Sequence, residues 1–191
     1  LKLCETADGL FEGFRPGTME KLGLGPDDIA SRNSRLVYGR MTGWGQTGPL
    51  AKTAGHDLNY ISLSGALHAM GAPGTAPPVP LNLVGDYGGG GMMLAFGLVC
   101  ALLEAKTSGK GQTIDVSMVE GSSALMSIFH SMKSSGMWDG TRGTNMLAGD
   151  AHFYDTFETA DAKYVSFGAI ELPFMQIFVE KAGLDPSWLS N

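Results

Sequence analysis

The sequence predicts an α/β fold, in which helices alternate with the strands of a mostly parallel sheet. Short helices are predicted over 18–23 and 26–33, and the second begins at Pro26, a residue favoured in the first helical turn. A β-rich segment over 35–45 then runs into a glycine loop. This helix-to-strand order is typical of α/β proteins.

Two longer helices are predicted further along the chain. The second, from Asp86 to about Lys106, is nearly all apolar and is therefore predicted to be buried in the core, although 88–91 are all glycine. Such glycines favour close packing or a close ligand. The first covers 57–70, and its apolar face is predicted to consist of Leu58, Ile61, Leu63, Leu67 and Met70.

The end of the chain predicts a second unit. A strand over 112–116 and a helix to about Met132 complete the first unit, and an irregular stretch follows. Two β-rich runs within 152–170 then flank Ala160-Asp161 and indicate an antiparallel hairpin. We place a domain boundary near 150, with 1–150 as the later part of a large domain and 151–191 as the start of a small one.

Composition narrows the possible partners. The 191 residues carry a formal net charge of −6, which argues against a nucleic-acid surface. No apolar run reaches the roughly 20 residues that span a bilayer, so no membrane anchor is expected. Cys4 and Cys100 are far apart, which predicts neither a metal site nor a disulfide framework and favours a reducing compartment. Because the chain begins at Leu1, we expect it to start inside a longer protein.

His56 and Asp86 are the candidate reactive groups. Each is set among glycines and apolar residues, and titratable groups held away from water are overrepresented at reaction centres. Both have simpler interpretations, because His56-Asp57 fits a helix start and Asp86 fits a helix N-cap. Capping and catalysis can coexist at either position.

Five motifs resemble one protein family. They are AGHDLNY (54–60), PLNLVGDYGGGG (80–91), SGKGQTIDVSMVEG (108–121), RGTNML (142–147) and FGAIELPF (167–174). Together, and in this order, they resemble the α-methylacyl-CoA racemases of the family III CoA-transferase superfamily. The resemblance covers essentially the whole chain and begins upstream, at EGFRPGTMEKLGLGP (12–26).

The resemblance implies an architecture and an assembly. It implies part of a nucleotide-binding-like large domain with parallel strands, the start of a small α+β domain, and a homodimer whose two chains interlock. Family members are about twice this long, so the chain is expected to lack the family's N-terminal and C-terminal parts. Bacterial members are cytoplasmic, whereas eukaryotic ones are peroxisomal or mitochondrial, and we expect a cytoplasmic protein.

The resemblance also implies an activity and its residues. His56 and Asp86 match the two acid/base residues, and Glu171 matches a carboxylate that pairs with the histidine, across the dimer by family precedent. Arg15 and Lys21 match positions that meet the phosphates of coenzyme A. The acyl-CoA site is lined by Gly55, His56, Asp57, Leu58, Asn59 and Tyr60.

The expected reaction is inversion of the α-methyl centre of a 2-methylacyl-CoA thioester through an enolate. One base removes a proton from one face and a second returns a proton to the other. Free N–H groups at a helix start at Asp86 are expected to hold the enolate oxygen. The acyl-CoA is the partner, and no further cofactor or metal is expected. Two alternatives remain open: a CoA-transferase with Asp86 as the nucleophile, and a non-catalytic CoA-binding or dimerisation fragment.

Overall fold

A three-stranded parallel sheet organises the first part of the chain. The structure is a computed structural model that describes residues 1–190. Its sheet has the order β1-β2-β3, with β1 at Gly9–Glu12, β2 at Val37–Thr42 and β3 at Thr113–Ser117. Gly9 pairs with Val37 on one side of β2, and Tyr38 pairs with Thr113 on the other. The predicted α/β class with parallel strands is confirmed.

Helices connect and cover these strands. Apart from short 3-10 turns at Lys2–Glu5 and Pro186–Leu189, the helical elements are α1 (Thr18–Lys21), α2 (Pro26–Ala30), α3 (Asp57–Ser64), α4 (Ala66–Ala69), a π-helix (Leu83–Met92), α5 (Met93–Ser108), α6 (Met118–Leu125), α7 (Ser127–Ser134) and α8 (Leu172–Ala182).

The central strand β2 is covered on both faces. Alternate residues of a strand point to opposite sides of the sheet. Val37 packs with Ala101 and Ala105 of α5, whereas Tyr38 joins a cluster that contains Ile29 of α2. Every residue of β2 except Met41 is buried, including the polar Arg40 and Thr42, as expected for a parallel strand covered on both faces.

The 57–70 helix differs from its prediction. Gly65 adopts a left-handed conformation with φ 83° and ends α3, so two short helices replace one long one. The predicted apolar face is wrong at Leu63, which is 63% exposed, and is confirmed at Ile61, which is fully buried. The buried residues of α3 are Asp57, Tyr60, Ile61 and Ser64.

The helix from Leu83 to Ser108 is only partly buried, contrary to the prediction. Leu94, Ala101 and Ala105 face the sheet and are buried. The opposite side carries an exposed apolar stripe made of Met92, Phe96, Val99 and Leu103. The helix has 26 residues, and an 18-residue window within it has a mean hydropathy of 1.6, so it is long and apolar enough to cross a membrane. This is weak support for a span, because core helices of other proteins pass the same test. The expected lack of a membrane anchor stays a prediction.

A second compact unit contains residues 68–78 and 132 onward. Its strands β4 (Tyr154–Glu158) and β5 (Tyr164–Gly168) form the predicted antiparallel hairpin. Helix α8 packs Met175 and Val179 into the core of this unit. In this chain the compact units divide at Ser131, and the second unit also includes the segment 68–78. The domain boundary near 150, which was proposed for the whole protein, stays a prediction.

Candidate functional site

A pocket opens where the three parallel strands end. Ligands of open α/β sheets bind outside the carboxyl ends of the strands. Here the segments that follow β1, β2 and β3 contribute Phe14, Trp44 and Met118 to a pocket of about 170 Å³. Gly55 and Tyr60 also line it, so the pocket reaches the start of α3, next to His56. The sheet therefore brings one group of predicted site residues to its carboxyl edge.

His56 occupies the N-cap position of α3 and is exposed. Its backbone N–H donates a hydrogen bond to Oδ1 of Asn59, at 2.9 Å. The side chain of Asn59 thereby satisfies a helix-terminal donor. The imidazole is left accessible at the end of the helix, as a proton-transferring group requires.

Asp57 is the most deeply buried charged group of the site, with an exposed fraction of 1%. Its Oδ1 accepts hydrogen bonds from the backbone N–H groups of Gly85 and Asp86, both at 2.8 Å. Its Oδ2 has no partner in the part of the chain that the structure describes. The carboxylate of Asp57 therefore joins the start of α3, next to His56, to the backbone of Asp86 in the π-helix.

Asp86 lies in the first turn of the π-helix and is half-buried. The side-chain amide of Asn82 donates to its Oδ2 at 2.8 Å. Asn82 and the preceding Leu81 both have positive φ, at 60° and 55°, which is unusual for a leucine. π-helices and strained backbone are both frequent at functional sites. The positive φ of Asn82 thus accompanies a side-chain position from which its amide holds the Asp86 carboxylate.

Two sequence predictions about Asp86 are wrong. The helix begins before it, at Leu83, so Asp86 is not the N-cap. Free N–H groups were expected at Asp86 to hold an enolate oxygen, but the N–H groups of Gly85 and Asp86 donate to Asp57 instead. A buried carboxylate competes for donors at a helix start because charged acceptors form the stronger hydrogen bonds.

The glycines after Asp86 allow close packing, as predicted. A Cβ added at Gly89 would lie 2.5 Å from the backbone N of Ser122 in α6. A Cβ at Gly91 would meet only the carbonyl of Asp86, at 3.7 Å. Gly89 therefore lets α6 approach the backbone of the π-helix.

Tyr60 lies beside the two carboxylates and is buried. Burial, together with the negative charges of Asp86 and Asp57, raises the pKa of its phenol. Its ring contacts the indole of Trp44 edge to face, with centroids 4.8 Å apart. Tyr60 therefore keeps its proton at neutral pH and forms a wall of the pocket. Of the other residues expected to line an acyl-CoA site, Leu58 is partly exposed, at 37%.

Arg15 and Lys21 line a second, wider cleft of about 610 Å³. Sequence reasoning did not single out two further members of this cleft, Gln46 and Lys52. Arg15 and Pro16 line both this cleft and the pocket beside Tyr60, so the two spaces adjoin. The predicted phosphate contacts therefore lie next to the pocket that Gly55 and Tyr60 line.

Arg40 also borders the cleft, but its charge is neutralised within the protein. Its Nε donates to Oε1 of Glu12 at 3.0 Å, and its Nη1 donates to Oε1 of Glu20 at 2.7 Å. The hydrogen bond from Arg40 lowers the pKa of Glu20. Arg40 therefore supports the floor of the cleft.

Glu171 belongs to the second unit, where it is the exposed N-cap of α8. Its carboxylate has no ion-pair partner within residues 1–190. The pairing of Glu171 with His56 stays a prediction. No group of three or more His, Cys, Asp or Glu side chains in those same residues is placed to hold a metal ion.

Known proteins are similar to this chain in sequence and in fold. Residues 1–190 match CoA-transferase family III. The chain belongs to this family. The human protein named alpha-methylacyl-CoA racemase is 45% identical over 190 residues, which is 100% of this chain and 50% of that protein. A Mycobacterium tuberculosis protein named a probable fatty acyl-CoA transferase is 41% identical over 121 residues, covering 63% of this chain and 30% of that relative.

A solved structure confirms the fold of this family III chain. The CAIB/BAIF family protein from Brucella suis superposes with a TM-score of 0.80 at 23% identity, covering 98% of this chain and 50% of that one. The chain therefore spans about half the length of the relatives that it matches. The predicted family is confirmed.

Proposed function

We propose that the whole protein inverts the α-methyl centre of 2-methylacyl-CoA thioesters by proton transfer through an enolate, as an isomerase of lipid metabolism. The observation that carries the proposal is the pair of hydrogen bonds from Gly85 and Asp86 to Asp57. They put the helix that begins at His56 against the helix that carries Asp86. This contact supports the assignment of His56 and Asp86 as the two proton-transferring groups of one site.

In the proposed reaction, one group takes the α-proton and the other returns a proton to the opposite face of the enolate. His56 and Asp86 exchange these roles when the reaction runs in reverse. Glu171, supplied by the partner subunit of an interlocked homodimer, would favour the imidazolium of His56 and fix its orientation. Coenzyme A enters as part of the substrate, and the proposal requires no further cofactor. The relative named alpha-methylacyl-CoA racemase supports this substrate class.

The test follows the α-proton in the full-length protein. One enantiomer of a 2-methylacyl-CoA is incubated in deuterated water, and both deuterium uptake at the α-carbon and optical purity are measured. The wild type is expected to incorporate deuterium at the α-carbon and to lower the optical purity. His56→Ala and Asp86→Asn are each expected to abolish inversion. A variant that keeps full activity would remove that residue from the mechanism.

A CoA-transferase is the second candidate, and the relative named a probable fatty acyl-CoA transferase favours it. In that reaction the Asp86 carboxylate attacks the thioester carbonyl, the CoA thiolate leaves, and an anhydride joins Asp86 to the acyl group. Adding a free carboxylic acid to the assay distinguishes the CoA-transferase reaction from the racemase reaction. Movement of CoA to that acid, without α-deuterium uptake, would establish the transferase instead.

A further inference from the structure

The cleft beside Arg15 concentrates positive charge in an acidic protein. The chain has 19 acidic and 13 basic residues, yet four of its cations border this one cleft: Arg15, Lys21, Arg40 and Lys52. Arg40 is held by Glu12 and Glu20. The other three form no ion pair with any residue that the structure describes. Three uncommitted cations thus face one space.

Gln46 adds an unused hydrogen-bond donor to the same cleft. It follows β2 in the loop GWGQTG, at the carboxyl edge of the sheet, and it lines the cleft. Its side-chain Nε2 is buried and has no acceptor among residues 1–190. Buried amide groups are almost always paired, so this N–H is available to a water or to a ligand oxygen that enters the cleft. The acceptor that suits three cations and an amide N–H is a phosphate oxygen.

We propose that Lys52 and Gln46 bind a phosphate group of the CoA moiety, together with Arg15 and Lys21. This inference rests on the proposed CoA-thioester substrate and identifies two further residues that recognise it. Lys52 supplies a mobile point charge, and Gln46 supplies a directed N–H. Lys52 precedes His56 by four residues, so the proposed phosphate contact lies close in sequence to the start of α3.

The adjoining spaces indicate which part of the ligand goes where. The wide cleft, of about 610 Å³, is polar and basic, whereas the pocket beside Tyr60, of about 170 Å³, is narrow and has Trp44 and Tyr60 in its wall. A slender pantetheine arm fits the narrow pocket. The phosphates, which need charge and room, fit the wide cleft.

The test measures binding alone, and so does not depend on the reaction. Calorimetry on the full-length protein compares free CoA, dephospho-CoA and pantetheine as ligands of the wild type, Lys52→Gln and Gln46→Leu. Lys110→Gln, an exposed lysine outside the cleft, is the matched control. For CoA, Lys52→Gln is expected to raise Kd about tenfold, the effect of one charge-assisted hydrogen bond, and Gln46→Leu to raise it about threefold. Pantetheine binding and the melting temperature of each ligand-free variant are expected to stay unchanged.

Each outcome has a defined meaning. A loss confined to CoA, and absent with dephospho-CoA, assigns Lys52 to the 3′-phosphate; equal losses with both assign it to the pyrophosphate. Lys52→Arg, which keeps the charge, is expected to restore most of the affinity, whereas higher salt is expected to reduce the difference between the wild type and Lys52→Gln. CoA binding by Lys52→Gln and Gln46→Leu at wild-type affinity would overturn this inference and leave the proposed function intact. A wild type that binds no CoA would overturn both.

Discussion

Removing the Asp57 carboxylate is expected to detach the π-helix from α3. In Asp57→Ala, the N–H groups of Gly85 and Asp86 lose their acceptor. A buried donor without a partner costs roughly 1–3 kcal/mol. Because Gly85 is buried and Asp86 only half-buried, we expect the free energy of unfolding to fall by about 2–4 kcal/mol. Asp57→Asn keeps one carbonyl oxygen as acceptor and loses only the charge assistance, so its loss is expected to be about 1–2 kcal/mol.

Two measurements check this prediction on the full-length protein. Urea unfolding gives the stability change, and α-proton exchange of a 2-methylacyl-CoA, measured where each variant is still folded, gives the activity change. We expect exchange by Asp57→Ala to fall about 100-fold, since a shift of about 1 Å in a reacting group has that effect. Asp115→Asn, an exposed carboxylate on β3, is the control and should change stability by less than about 0.5 kcal/mol.

The reasoning would be refuted by an Asp57→Ala variant that unfolds at the wild-type urea concentration. It would also be refuted if Asp57→Asn and Asp57→Ala lost equal stability, because the retained acceptor would then have no effect. A variant that is destabilised but fully active would confirm the structural contacts and remove their proposed effect on Asp86.

Two further predictions concern Gly89 and Glu20. Gly89→Ala is expected to lower the free energy of unfolding by about 1–3 kcal/mol, because its Cβ would lie 2.5 Å from backbone in α6. Gly91→Ala is the control, because its Cβ would meet only an ordinary contact at 3.7 Å. Equal urea midpoints for the two variants would contradict the packing argument. The Arg40 hydrogen bond lowers the pKa of Glu20 in the folded protein, so its stabilisation is present above the ordinary value of 4.5 and is lost as pH falls through the lowered pKa. Thermal unfolding should therefore show wild type more stable than Glu20→Gln at pH 7, by less than about 1 kcal/mol because the carboxylate is 44% exposed. This difference should vanish in acid, and one independent of pH would contradict the assignment.

The sequence predicted those features of the fold that depend on local pattern. The β-rich segment of β2 and the turn between β4 and β5 carry local signals, and both were predicted. Strand β1 was missed because its four residues, Gly9–Glu12, have no strong β pattern and gain their order by pairing with β2. The helix to Ser108 was predicted to be buried because composition shows how apolar a helix is and not how many of its faces meet the sheet.

Site residues that belong to a recognisable sequence motif were predictable. Residues whose role depends on a contact with a distant part of the chain were not. His56 and Asp86 were identified from their surroundings and from the family resemblance. Asp57 stood in the same motif, yet its hydrogen bonds reach Gly85 and Asp86, which are 28 and 29 residues away. In the sequence Lys52 resembles any surface lysine, and only the fold shows that it borders the same cleft as Lys21.

The π-helix has a consequence for the register of the chain. In it the backbone N–H groups bond five residues back, where an α-helix bonds four back, so the segment Leu83–Met92 holds more residues per turn. Deleting one residue from 88–91 would let it return to α-helical bonding and would rotate Asp86 by roughly 100° relative to the residues that follow. The N–H group of Asp86 would then keep its bond to Asp57, or Gly89 would keep its contact with α6, but one of the two would be lost. The length of the π-helix therefore sets the direction of the Asp86 carboxylate, and a change of one residue would alter that direction.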